Sequence, residues 1–271
     1  MLWVTALQSC YQECHNSETK IGIRMKTTIA CIVVIGICLA AATGFADQTV
    51  VVPGEYALAE AGSSDNAPLG ASEQHFQQVF SSSLLTNLAV GDLIGGMAFR
   101  VEGGETALPA QTIPDYNISL SQSPNAPGSL SATFADNRGA DFQTVRSGPL
   151  TVNAGDFPGG SSPNDFGWIS FSTPYVYQGG DLLIEIAYQG FSAGRDADAA
   201  YPYAANLAQT AFGTGYNSTT ADAGLYAEAL VVAFSVSGQV IPVPEPSASL
   251  VFGAGMVLLL GFQSLRKNQT P

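Results

Sequence analysis

WISFSTPYVYQGGDLLIEIAY, Trp168 to Tyr188, is the stretch that decides the fold class. Leu182, Ile184, Ile186 and Tyr188 alternate with Leu183, Glu185, Ala187 and Gln189. A period of two puts one set on each face of a strand. Trp168 to Tyr177 is a run rich in β-branched and aromatic residues, broken by Pro174. Proline has no N–H to give to a ladder, so its strand lies at an edge or bends there. Gly179-Gly180 stands between the two runs, and the pattern predicts a hairpin closed by a tight turn.

The same reading extends outward. Tyr116, Ile118 and Leu120 alternate with Asn117, Ser119 and Ser121, a half-buried strand. Leu93 to Val101, Leu130 to Phe134 and Phe142 to Val152 are further strand candidates. Leu225 to Val236 is apolar nearly throughout and reads as one buried final strand. A helix is the rival there, because Ala227, Glu228, Ala229 and Leu230 are good helix formers. Gly224 in front, with Val231, Val232, Phe234 and Val236 inside, favours the strand. Short strands spaced by turn residues predict an all-β body over 47–240, a single jelly-roll-like β-sandwich. A segment of that length is long enough to bury one core, since domains of about 150 residues already bury roughly 70% of their unfolded surface.

Both ends of the 271-residue chain read as addresses. Met25 and Lys26 open an apolar run from Ile29 to Ala42, followed by small residues up to Ala46 and Asp47. A positive start, an apolar middle and small residues before a cut make a secretory signal peptide over 25–46. The run is shorter than the roughly 20 residues of a spanning helix. Cleavage is expected after Ala46, with Ala42 as the second site. Residues 1–24 read as an upstream extension with the true start at Met25; the other reading is a long n-region lost in the same cut. All four cysteines, Cys10, Cys14, Cys31 and Cys38, precede the cut, so the mature chain has no disulfide and no thiolate chemistry. At the other end, Ala248 to Leu265 carries no charge and Arg266 and Lys267 follow at once. That pattern predicts a C-terminal transmembrane helix with the basic residues cytoplasmic and the body facing outward. Pro242, Pro244 and Pro246 keep the approach to it extended.

Val243-Pro244-Glu245-Pro246-Ser247, the apolar span and Arg266-Lys267 together resemble the sorting signal of the PEP-CTERM proteins. The basic cluster is short, and Asn268 to Pro271 trail it. The resemblance implies a Gram-negative bacterium that makes exopolysaccharide, and an exosortase that reads the motif as substrate while the inner membrane holds the precursor transiently. A simple C-terminal anchor is the other reading of the same residues. Four pieces within 74–191 also resemble a recurrent ectodomain of that family: Gln74–Phe80, Ile94–Arg100, Gly128–Asn137 and Gly180–Ile186. This second resemblance brings no catalytic residues.

Charge and residue types narrow the function. The chain carries a formal −13. All acids except Glu13, Glu18 and Glu245 lie between Asp47 and Val243, against Arg100, Arg138, Arg146 and Arg195 and no lysine. Nucleic-acid binding needs cations to neutralise phosphates, so it is excluded as a role. The body's one histidine, His75, and the absence of a G-x-S-x-G elbow argue against hydrolase chemistry. A glycosidase would need only two carboxylates, about 5 Å or about 6.5–9.5 Å apart. Asp136, Asn137 and Asp141, and the stretch Arg195 to Asp198, gather oxygen ligands that suit calcium, although the same residues are ordinary turn formers. No other cofactor is implied. Sugar binding would use exposed aromatic faces, with Trp168, Tyr175, Tyr177, Tyr201 and Tyr203 as candidates. Trp168 and the alternate tyrosines are assigned to the core, and the Tyr201-Pro202-Tyr203 loop to the surface. The expectation is an exported, non-enzymatic cell-surface or matrix protein, with carbohydrate binding to exopolysaccharide as the alternative and a secreted glycosidase behind it.

Overall fold

The computed structural model of the protein describes residues 48–238. Residues 1–24, the expected signal 25–46 with its cut between Ala46 and Asp47, the motif Val243–Ser247, the span 248–265 and the pair Arg266–Lys267 lie outside the described residues. Among the described residues there are fifteen strands, three short 3-10 turns and no α-helix. The strands are β1 (Gln48–Val52), β2 (Ser63–Asp65), β3 (Gln74–Phe80), β4 (Leu93–Phe99), β5 (Gln111–Ile113), β6 (Tyr116–Gln122), β7 (Gln143–Arg146) and β8 (Leu150–Val152). They continue with β9 (Gly167–Val176), β10 (Leu182–Tyr188), β11 (Ala197–Ala200), β12 (Ala208–Gly213), β13 (Gly224–Tyr226), β14 (Ala229–Leu230) and β15 (Val232–Ser237).

All pairing is antiparallel. A four-stranded sheet runs β1-β15-β4-β9 and a six-stranded sheet runs β13-β12-β3-β10-β6-β7. Two smaller sheets, β14-β11-β2 and β5-β8, complete the set. One hydrophobic cluster draws on both larger sheets. From the six-stranded sheet come Phe76, Phe80, Ile118, Leu120, Ile184 and Ile186; from the four-stranded sheet come Val50, Met97, Phe99, Ile169 and Phe234. The alternation read in Leu182 to Tyr188 is thus a core face, registered against Phe76 on β3 and Ile118 on β6 through Ile186.

The predicted hairpin at Gly179-Gly180 is not one. β9 and β10 belong to different sheets, and the glycines carry the chain across from one to the other. Both have positive φ, +87° and +76°, which side chains resist. The reason lies in β10. Leu183 and Glu185 are buried on its second face, so β10 is a central strand, and its two edges are taken by β3 and β6. β9 buries one face and does lie at a sheet edge, where Pro174 falls in a stretch that bulges between the pairs Gly96–Ser170 and Ile94–Tyr175.

Three other strand readings change. Phe142 to Val152 is two strands, β7 and β8, in two different sheets. Leu130 to Phe134 is not a strand; it is part of a covering segment that ends in the 3-10 turn Phe134–Asn137. Leu225 to Val236 is three strands in three sheets, β13, β14 and β15. Its even hydrophobicity hides the breaks, since Leu225 and Tyr226 are exposed while Leu230 to Phe234 are buried. β15 sits between β1 and β4, and Phe234 is fully buried in the shared cluster. Phe234→Ala should therefore cost about 3–5 kcal/mol and lower the melting temperature of the full chain by about 10 °C. Circular dichroism melts in detergent check this; an unchanged melt would remove β15 from the core.

Candidate functional site

The outer face of the six-stranded sheet carries polar residues under cover. In the register of β3 and β10, Glu185 lies opposite Gln77 and Ala187 opposite His75. Residues 123–138 roof this face, joined to the 214–223 loop by the bridge between Thr133 and Thr220. Leu130 and Phe134 from the roof pack with Val79, Leu183 and Ala211. Asn137 donates from its amide to Gln77 Oε1 at 2.8 Å and is fully buried.

Glu185 is the anion of this face. His75 Nε2 (2.9 Å) and an Arg138 NH2 (2.7 Å) reach its Oε1; Gln77 Nε2 (2.6 Å) and Arg138 Nε (2.8 Å) donate to its Oε2. Burial alone would raise the carboxyl, but the hydrogen bonds from His75, Arg138 and Gln77 outweigh it and hold Glu185 at about 2. His75 Nδ1 lies 2.6 Å from the Ser218 carbonyl. Both ring nitrogens therefore face acceptors, and both bonds are satisfied together when both carry hydrogen. Arg138 also lies over the Phe142 ring at 4.7 Å. A cleft of about 410 Å³ opens beside this network, walled by Phe134, Phe142 and Tyr216. Each Glu185 oxygen already accepts two bonds, so the group has nothing free for acid–base work. Its role is to tie roof to sheet.

A second cleft, of about 330 Å³, has a different character. Tyr201, after β11, and Tyr226, in β13, are 54% and 40% exposed, and their rings meet edge-on at 6.4 Å. Tyr226 also packs edge-on against Phe212, 5.7 Å away. Gly224, at φ +118°, turns the chain into β13, and the Tyr226 hydroxyl donates back to the Ala223 carbonyl. On the polar side stand Ser63, Ser64, Asp65 and Gln74, with Glu228 buried. Asp65 and Glu228 are neighbours on this side, and each shifts the other's carboxyl. Burial, and then the charge of Asp65, push Glu228 up to about 8. Burial raises Asp65 as well, against the backbone N–H of Ala67, which donates to it at 2.7 Å. Glu228, the more strongly raised of the two, keeps its proton near neutral pH.

A third group, Glu60, Glu102 and Asp198, brings its oxygens within 4.8 Å of one another. Asp198 accepts from Arg100 Nε at 2.6 Å and from the Ala61 N–H, and both charged side chains are buried. Glu60 accepts from the Gly103 N–H and the Ser162 hydroxyl. Burial first, then the charges of Glu60 and Asp198, push Glu102 up to about 7.

The residues singled out by sequence fall in separate places. Trp168 is not core: it is 44% exposed on β9, because Ile169 beside it is buried and the period of two sends Trp168 outward over Gly95 and Gly96. Tyr175 and Tyr177 are buried, as expected of core residues. Tyr203 is half-buried and donates to Glu55 at 2.7 Å. Among the expected aromatics, Tyr201 alone lines the second cleft. Asp136 accepts from Ser131 Oγ; Asn137 is engaged with Gln77; Asp141 accepts from the Gln122 N–H and from Tyr175 OH at 2.6 Å. Asp136 and Asn137 share Ser131 as a partner, while Asp141 is engaged elsewhere. Sequence reasoning missed Tyr226 and Glu228, which the apolar run 225–236 absorbed; the glycine before them and the acid within the run were the signal.

No family model matches the chain, and no curated protein matches it. No helix among the described residues is long and apolar enough to cross a membrane.

Glu185 generates a pH prediction. Its carboxyl sits at about 2 in the fold against about 4.5 when unfolded, so its contribution is full above about pH 5 and is lost as pH falls toward 2. The shift corresponds to roughly 3 kcal/mol. Glu185→Gln should lower the melting temperature at pH 7 and flatten the fall in stability between pH 5 and pH 2. Melts of both proteins across that range test this; parallel acid limbs would show that other carboxylates carry it.

Proposed function

We propose that this is an exported cell-surface or matrix protein, non-enzymatic, whose two larger sheets form the leaves of a jelly-roll-like β-sandwich. A signal peptide over 25–46 directs it out, and the tail holds it in the inner membrane until an exosortase acts at Val243–Ser247. Pro244, Glu245 and Pro246 are substrate in that step. The observation that best supports the reading is the pairing of the body's first and last strands. β1 and β15 are neighbours, and Gln48 lies opposite Val236. The segment after the cut and the segment before the motif therefore join the body at one end of one sheet. A body hung from the membrane by that end leaves its other surfaces free. The acidic body also avoids adhering to an anionic leaflet. The Glu185 carboxylate, with all four of its bonds made within the protein, supports a non-enzymatic role.

A second reading, a carbohydrate-binding module for the cell's exopolysaccharide, is favoured by the exposed Tyr201 and Tyr226 beside polar groups.

Replacing Pro244, Glu245 and Pro246 together by alanine should leave the precursor in the inner-membrane fraction, with the surface and medium depleted. Fractionation and immunoblotting of producing cells read this directly. Delivery at the normal level would refute exosortase sorting and leave the tail as a simple anchor.

A further inference from the structure

We infer that the cleft between Tyr201 and Tyr226 is a subsite for one uncharged pyranose ring of a polysaccharide, stacked on the tyrosines and hydrogen-bonded along its hydroxyl edge by the Asp65–Glu228 side. The inference rests on the carbohydrate-binding reading.

The cleft has two unlike sides. One is aromatic: Tyr201 and Tyr226, with Phe212 behind. The other is polar, with Ser63, Gln74 and the carboxyl pair, and with Ser64, whose hydroxyl donates to Asp196. A pyranose has the same division, a face of C–H groups and a rim of hydroxyls. Gln74 Oε1 is occupied by the Tyr188 hydroxyl at 3.0 Å, which leaves its amide N–H groups as donors. Asp65 accepts, and Glu228 bears the proton of the pair. That side thus offers both donors and acceptors, which suits neighbouring hydroxyls that each donate and accept.

Charge selects among sugars. Among the described residues, the lining includes Asp65 and Glu228 and no lysine or arginine. A uronate or a phosphorylated sugar would meet a like charge with no cation to pair it. Size selects too: about 330 Å³ is at the low end of ligand sites and holds one ring.

Glu228 supplies a second handle. The titratable groups facing it are Asp65 from β2, with Asp196 beyond, and the Tyr201 and Tyr226 phenols across the cleft. Above about pH 8 Glu228 ionises beside Asp65, and the cleft loses a donor and gains a repelled second charge.

The test is binding of the full chain in detergent to exopolysaccharide from the producing cells, and to an array of neutral and uronate-containing glycans. Neutral glycans should bind, and binding should weaken between pH 7 and pH 9. Tyr201→Ala and Tyr226→Ala should each weaken it about tenfold, while Trp168→Ala, on the other sheet, leaves it unchanged. Glu228→Gln keeps the donor and should remove the pH dependence. Matching melting temperatures establish that the variants fold. Binding that survives both tyrosine changes, or that prefers uronates, overturns this subsite while leaving carbohydrate binding intact. No binding by the unaltered chain overturns both.

Discussion

Glu185 is a carboxylate placed under cover in the middle of a sheet, and much of the architecture follows from how its charge is satisfied. Taking such a group out of water costs several kcal/mol unless partners replace the solvent. Here the replacement is complete: Gln77 from the neighbouring strand, His75 two residues before it, and Arg138 from the roof supply all four bonds. Because Arg138 lies at the end of the 123–138 segment, the ion pair is also the clasp that holds that segment on the sheet. The clasp lets both faces of β10 be buried, and a strand buried on both faces must be central. The order of the six-stranded sheet, and the exclusion of β9 from it, come from that one placement.

The period-two signal was legible wherever a strand buries one face or stays regular for several residues. Leu182–Tyr188 and Tyr116–Gln122 stand nearly where the alternation puts them, and Pro174 marks an edge strand. Pairing was less legible, because adjacency in sequence argues for a hairpin and says nothing of a neighbour such as β3, about a hundred residues upstream. Gly179-Gly180 has the chemistry of a tight turn in either case; whether that turn joins strands of one sheet or carries the chain between two depends on what else needs the edges of β10. The run 225–236 failed for the converse reason. Hydrophobicity alone does not show where a chain leaves one sheet for another, and Glu228 in the middle of the run was taken for a helix former when it is a buried acid with a partner.

The candidate sites show the same limit. Tyr201 was identifiable because proline and a second tyrosine make its surroundings loop-like. Tyr226 was not, since it sits among residues that look like core. Trp168 was misassigned because size suggested burial, whereas its phase with Ile169 decides it. The Asp65–Glu228 contact brings together residues far apart in the chain, with β2 and β14 flanking β11 in a three-stranded sheet. Without that sheet in view, an Asp in a Ser-Ser-Asp-Asn turn and a Glu in an apolar run have no reason to be read together.

The place of β15 governs when the body is able to form. In a chain that emerges amino end first, β1 is the earliest strand available, yet among the described strands it pairs with β15 alone, the last to appear. β4 and β9 can associate before then, but their sheet lacks its second strand until residue 237 is out. Closing β1 onto β15 spans nearly the whole body, a high-contact-order step that is intrinsically slow. The six-stranded sheet has all its strands before then, so the four-stranded sheet is the part that waits for the last strand to arrive.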